Sequence, residues 1–268
     1  MSYFIKKIVI FILTLIISIS LIDLIIDDPI SDPLLEYQLN KIDKNEIIKS
    51  VFIGDSSCGN SIDVSYFDTP VQNLSLTGDY NISNTYRMLK RVHISHPELE
   101  NVIIMQSFDV FPRNDSDMLN IDLNSLNYVE RVYSKLQGLK YMFTVRPFVS
   151  FEIDYDNDFL KQNDKRILKS EKLVLEKDIS IENKKSILDI KSYCTDNNLK
   201  YTFIFEPSIN VTKNEKYYSI LNFLKINKIN FIEEYFELNN LNIGDGFDHV
   251  SPIFKMNSTI FYKNRINF

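Results

Sequence analysis

The sequence predicts an α/β chain with a mainly parallel, doubly wound sheet, and three observations predict it. Short apolar runs that suit buried strands recur along the chain, at Val51 to Ile53, Asn101 to Phe108 and Tyr201 to Phe205. Segments with helical spacing alternate with them, as at Asn81 to His93 and Ile181 to Thr195. The strand runs are continuously apolar rather than alternating, which marks strands covered on both faces by crossover helices.

Taken in order, the chain opens with Lys6 and Lys7, then an apolar run from Ile8 to Ile22 that resumes after Asp23 and continues to Ile26. The span from Tyr3 to Ile26 is about the ~20 residues that cross a bilayer as a helix. Lys6 and Lys7 lie at its N-terminal side, before the apolar run, and Asp27 and Asp28 follow. The positive-inside rule therefore places the N-terminus in the cytoplasm and the rest outside. No small-x-small cleavage site follows the run, so residues 1–26 read as an uncleaved signal anchor of a single-pass protein. Residues 27–49, with Pro29 and Pro33, read as a stalk carrying one short helix.

The globular domain is expected over 50–268. Val51 to Ile53 and Val71 to Leu76 are the first strands. Asn81 to His93 is a helix with Ile82, Tyr86, Leu89 and Val92 on one face and Asn81 as its cap. The strand at Asn101 to Phe108 comes next. Residues around 112–172 are the least regular and read as an insertion near the site, with a helical stretch at Leu126 to Phe143. Its Tyr128, Tyr133, Tyr141 and Tyr155 suit packing first and sugar stacking second. A helix at Ile181 to Thr195 buries Ile187, Ile190 and Cys194. The strand at Tyr201 to Phe205, a helix at Tyr217 to Ile226 and a last strand at Phe231 to Tyr235 complete the pattern. In such sheets, sites form at the carboxyl ends of the strands.

Composition excludes several classes. Hydrophobic residues make up 44% of the 268 and charged residues 25%, which is globular. A net charge of -6 with no dense Lys/Arg stripe argues against nucleic acid as a partner. Only 6 glycines are present and no phosphate-cradling loop. Clustered Cys and His for zinc, and the regular oxygen spacing of a calcium loop, are missing, so no metal and no cofactor is expected. Cys58 and Cys194 read as two free buried thiols, with a single disulfide as the alternative.

Two segments carry the chemistry. Gly54-Asp55-Ser56-Ser57 follows the first strand directly. A serine there heads the next helix, where backbone N–H groups and the helix dipole favour a developing oxyanion. An ordinary strand-to-helix turn capped by Asp55 or Ser56 gives the same tetrapeptide. The second segment is Asp245-Gly246-Phe247-Asp248-His249-Val250-Ser251-Pro252, after the last strand. Serine needs a base to accept its proton, usually a histidine held by a carboxylate. Of the 3 histidines, His93 and His96 close a helix and read as solvated, which leaves His249 in a Gly- and Asp-rich loop.

Together these segments resemble the SGNH (GDSL-type) hydrolase superfamily, which implies a flavodoxin-like doubly wound sheet. The anchor plus one such domain is similar to membrane-anchored members that decorate bacterial polysaccharides. By this resemblance Ser56 is the nucleophile and His249 the base. Asn73-Leu74-Ser75-Leu76-Thr77-Gly78 resembles the second block, with Gly78 as an oxyanion donor. The third block usually supplies an asparagine donor, and here Gln106-Ser107-Phe108-Asp109 stands in its place. Gln106 and Ser107 are its substitutes, and Ser57 flanks the nucleophile. The fourth block is Asp-x-x-His, and its aspartate falls on Gly246. Asp245 is then the expected acid and Asp248 the reserve.

Two readings follow. The first is an extracytoplasmic O-acyltransferase or esterase acting on cell-surface glycan, with a membrane partner delivering the acyl group. The second is an inactive SGNH-like scaffold that binds glycan or partner proteins at the membrane, favoured by the absent asparagine and the displaced aspartate.

Overall fold

The computed structural model describes residues 7, 11, 14, 33–43, 47–76, 80–113, 173–239, 241–244 and 249–266. The chain divides into two compact units, one of Met1–Pro33 with Leu119–Phe151, the other of Leu34–Met118 with Glu152–Phe268. Nearly all of the first lies outside the described residues, as do most of the expected anchor and the helix expected at Leu126 to Phe143. Among the described residues no helix is long and apolar enough to cross a membrane.

The second unit is built on a five-stranded parallel sheet. Its elements are α1 (Pro33–Asp43), β1 (Ser50–Gly54), α2 (Ser56–Ser61), β2 (Val71–Asn73), α3 (Ile82–Ser95), β3 (Asn101–Gln106), α4 (Ile181–Asp196), β4 (Lys200–Phe205), α5 (Glu215–Ile226), β5 (Phe231–Ile232) and α6 (Lys255–Lys263). The strand order is β2-β1-β3-β4-β5. The chain thus steps one way from β1 to β2 and the other way from β2 to β3. Right-handed crossovers then put α2 on one face and α3, α4 and α5 on the other. α6 returns to the α2 face and packs on α2, while α3 packs on α4.

β1 is buried along its whole length, as expected of a strand covered on both sides. Phe52 joins Ile103, Met105, Ile204, Cys58 and Tyr262 in the core beneath α2 and α6. Asn81, Ser180 and Asn214 each accept backbone N–H bonds at the starts of α3, α4 and α5, which fixes where those helices begin. The second and last strands are shorter than the apolar runs suggest, since β2 stops at Asn73 and β5 at Ile232.

Three features depart from the sequence reading or were missed by it. The helix expected within the stalk is α1, and its Leu34, Leu35 and Ile42 are buried. His96 is not solvated. It is 5% exposed, and its Nε2 lies 2.7 Å from the Ile42 carbonyl oxygen, so it ties the end of α3 to the end of α1. His93 is half-buried, with Nδ1 2.9 Å from the Tyr193 hydroxyl on α4. Helix ends look solvated in sequence until a neighbouring element covers them. Finally, α6 was not anticipated, because exposed Met256 and Ile260 blur its apolar face.

Candidate active site

The reversal of strand order places a cleft position at the carboxyl ends of β1 and β3, where ligands bind in open α/β sheets. Gly54 ends β1 opposite Met105 of β3. A Cβ on Gly54 would fall 1.8 Å from the Met105 carbonyl oxygen, so only glycine lets the two strand ends approach this closely.

Asp55 follows, 2% exposed. Its Oδ1 accepts the Ser57 N–H at 3.0 Å and caps α2. Its Oδ2 accepts the Ser107 N–H, also at 3.0 Å. One buried carboxylate thereby joins the start of α2 to the residue after β3. Charge-assisted bonds of this kind to backbone N–H groups are the strong ones.

Ser56 is the first residue of α2 and remains partly exposed. The far end of this short helix is held by Asn73, whose Nδ2 donates to the Cys58 and Ile62 carbonyls at 3.1 and 3.2 Å. Asn73 Oδ1 accepts the Ser75 N–H at 3.1 Å. Cys58 is buried, and burial, with the Asp55 carboxylate next, pushes its thiol well above the ordinary range. It is therefore core rather than a second nucleophile. Cys58 and Cys194 are both free thiols.

His249 reaches the same point from the other end of the chain. Ile243 and Val250 form an antiparallel bridge. The Gly244 N–H donates to the His249 carbonyl at 2.7 Å, and the Ser251 N–H to the Asn242 carbonyl at 2.8 Å. Asn242 stitches the base of this hairpin, accepting the Asn239 N–H at 2.7 Å and donating to the Glu237 carbonyl at 3.1 Å. Val250 packs with Ile209 and Leu238 in a small satellite core. The result is a distance of 3.0 Å between Ser56 Oγ and His249 Nε2.

That distance suits proton transfer from hydroxyl to imidazole when Nε2 is the acceptor and Nδ1 carries the proton. A carboxylate that orients the ring would then meet Nδ1. Asp245, Asp248 and Gly78 lie outside the described residues.

The other expected oxyanion donors are committed elsewhere. Gln106 donates through Nε2 to Thr85 Oγ1 on α3 at 2.8 Å. Strand alternation is the reason: Ile103 and Met105 face the α2 and α6 side, so Gln106 faces α3. The Ser107 N–H is held by Asp55, and its hydroxyl donates to Asp109, which also pairs with Arg113. The Ser57 N–H is likewise held by Asp55. Among the described residues no group of three His, Cys, Asp or Glu side chains is placed to hold a metal ion.

Sequence reasoning missed Asn73 and Asn242 as supports. Asn73 was read only as part of a block, and Asn242 had no signal beyond its nearness to the Asp/His loop.

No protein-family model and no curated protein matches the chain. Among solved structures it is similar to a protein of Bacteroides fragilis NCTC 9343 assigned as an acylhydrolase. Identity is 11%, coverage is 87% of this chain and 96% of that one, and the TM-score is 0.45. It is also similar to a Streptococcus pneumoniae protein assigned as a platelet activating factor, at 12% identity. That match covers 86% of this chain and 92% of the other, with a TM-score of 0.44.

Proposed function

We propose that the chain is a serine acyl-transfer enzyme, an O-acyltransferase or esterase, anchored in the membrane by residues 1–26 and acting outside the cytoplasm on cell-surface polysaccharide. The observation that carries the reading is the 3.0 Å approach of Ser56 Oγ to His249 Nε2 at the carboxyl end of a parallel sheet.

In this reading Ser56 Oγ attacks the acyl carbonyl while Nε2 takes its proton. The tetrahedral intermediate collapses as Nε2 returns that proton to the leaving group, and an acyl-Ser56 ester remains. A sugar hydroxyl, or water, then loses its proton to Nε2 and attacks the ester, and the second tetrahedral intermediate collapses by breaking the acyl–Oγ bond as Nε2 returns the proton to Ser56. The Ser56 N–H at the head of α2 and the Gly78 N–H stabilise the oxyanion. Asp245 orients the imidazole.

The test is labelling of the full chain with a serine-directed fluorophosphonate. Wild type is expected to label, and Ser56→Ala and His249→Ala are expected not to. A folded wild type that stays unlabelled would sink the enzyme reading.

One observation favours a second reading, a non-catalytic SGNH-like scaffold that binds glycan or partner proteins. The Ser57 and Ser107 N–H groups and the Gln106 amide are all bound internally. Losing one oxyanion donor costs about 10²–10³ in rate in a comparable site.

A further inference from the structure

Ser75 is held from three sides. Its N–H donates to Asn73 Oδ1 at 3.1 Å. Its carbonyl accepts Gln38 Nε2 of α1 at 2.8 Å. On the third side Gly59 of α2 comes so near that a Cβ there would fall 2.7 Å from Ser75 Oγ. The residues around Ser75 carry the pairing of β2 with β1 past Asn73. The Leu74 N–H donates to the Phe52 carbonyl and the Leu76 N–H to the Gly54 carbonyl, both at 2.9 Å. Gly54 is the last residue before Asp55 and Ser56. Residues 74–76 therefore lie against both the turn and the helix that carry Ser56, and Gln38 ties α1 to them.

Docking of α1 does not depend on this bond. Leu34, Leu35 and Ile42 are buried, the Ile42 carbonyl oxygen lies 2.7 Å from His96 Nε2, and Asp43 pairs with Arg91 at 3.0 Å. Stability does not account for Gln38 either. It is 4% exposed, and its Oε1 is buried with no hydrogen-bond partner among the described residues. An unpartnered buried oxygen costs at least what a single hydrogen bond returns. Methionine, of similar length, would fill the same space without that cost. What glutamine supplies and methionine does not is the donor to the Ser75 carbonyl.

We propose that Gln38 is a positioning residue of the active site: through the Ser75 carbonyl it fixes residues 74–76 beside the Gly54–Ser56 turn, so that a helix lying before β1 sets how fast Ser56 reacts. This rests on the reading of Ser56 as the nucleophile. A displacement of about 1 Å in a segment that supports reacting groups costs up to about 10²-fold in rate, even when the altered residue touches no substrate.

The test compares the full chain as wild type, Gln38→Met and His96→Leu. The last variant loosens the other end of α1, since it loses the bond to Ile42 and leaves the Gln38–Ser75 bond in place. The rate constant of fluorophosphonate labelling reads Ser56, thermal unfolding reads stability, and amide hydrogen exchange reads the Leu76 N–H against those of β3. Gln38→Met is expected to keep the wild-type Tm, because it trades one unpartnered buried oxygen for another. Its labelling is expected to slow about ten-fold or more, with faster exchange at Leu76 and none of that change in β3. His96→Leu is expected to lose Tm and to label at the wild-type rate. Where wild type labels, a Gln38→Met chain that labels equally fast, or that keeps Leu76 as protected, overturns the proposal alone. A clear fall in Tm for Gln38→Met, or equal slowing in both variants, overturns it too by giving Gln38 a merely structural role. A folded wild type that never labels overturns the acyl-transfer reading itself, and the proposal with it.

Discussion

Ser56 Oγ and His249 Nε2 lie 3.0 Å apart although 193 positions of sequence separate them. Two independent supports bring them together. Asp55 and Asn73 fix the two ends of α2. Asn242 and the Ile243–Val250 bridge fix the hairpin. Helix α6 ties the chain after α2 to the end of β4, since Thr259 Oγ1 accepts the Asp63 N–H at 2.9 Å and Tyr262 donates to the Phe205 carbonyl at 2.9 Å.

Replacing Asp55 tests the first support. Asp55→Ala leaves the Ser57 and Ser107 N–H groups without their acceptor in a buried place, at about 1–3 kcal/mol each. Urea unfolding is expected to show a loss of about 2–6 kcal/mol, with Asp55→Asn milder because its amide oxygen keeps one bond. An Asn variant as unstable as the Ala variant would contradict the two-bond account.

Gly54→Ala addresses the close approach of β1 and β3. The added methyl meets the Met105 carbonyl oxygen at 1.8 Å, and a strand carbonyl cannot turn aside. Overpacking of this kind costs about 3 kcal/mol or more. Thermal unfolding should show a clear fall in Tm, or no soluble protein at all.

Tyr262 is fully buried, and burial pushes its hydroxyl well above the ordinary range. It therefore stays protonated, donating to Phe205 and accepting the Phe236 N–H. Tyr262→Phe is expected to cost about 1–3 kcal/mol while fluorophosphonate labelling of Ser56 persists at moderate denaturant-free conditions.

The two cysteines provide a pH test. Burial pushes Cys194 up to about 12 and Cys58 higher than its ordinary range. A raised pKa means less thiolate at a given pH, so both should resist alkylation at pH 8 in the native protein and react fully in urea. Rapid native alkylation of either would show that its cover opens.

The acid of the proposed site can be identified by substituting Asp245 and Asp248 one at a time. Asp245→Asn should lower acyl transfer far more than Asp248→Asn, by as much as about 10⁴-fold if it holds the imidazole as a triad acid does. The reverse order would assign the role to Asp248.

The sequence alone determined the alternation of strands and helices, the glycine and serine after β1, and the choice of His249 as the histidine to set beside Ser56. Continuous apolar runs and helical spacing are local properties, and the chain retains them in the fold. Cap residues are local too, which is why Asn81 was legible as the start of α3. Tertiary structure decided what depends on neighbours distant in the chain. It buried His96 under α1, turned Gln106 onto Thr85, and gave the Ser107 N–H to Asp55. It also made Asn73 and Asn242 the fixings of the two halves of the site. A side chain's hydrogen-bond partner is set by which elements pack beside it, and sequence periodicity carries no record of that. The single distance that supports a function, from Ser56 to His249, is of this second kind.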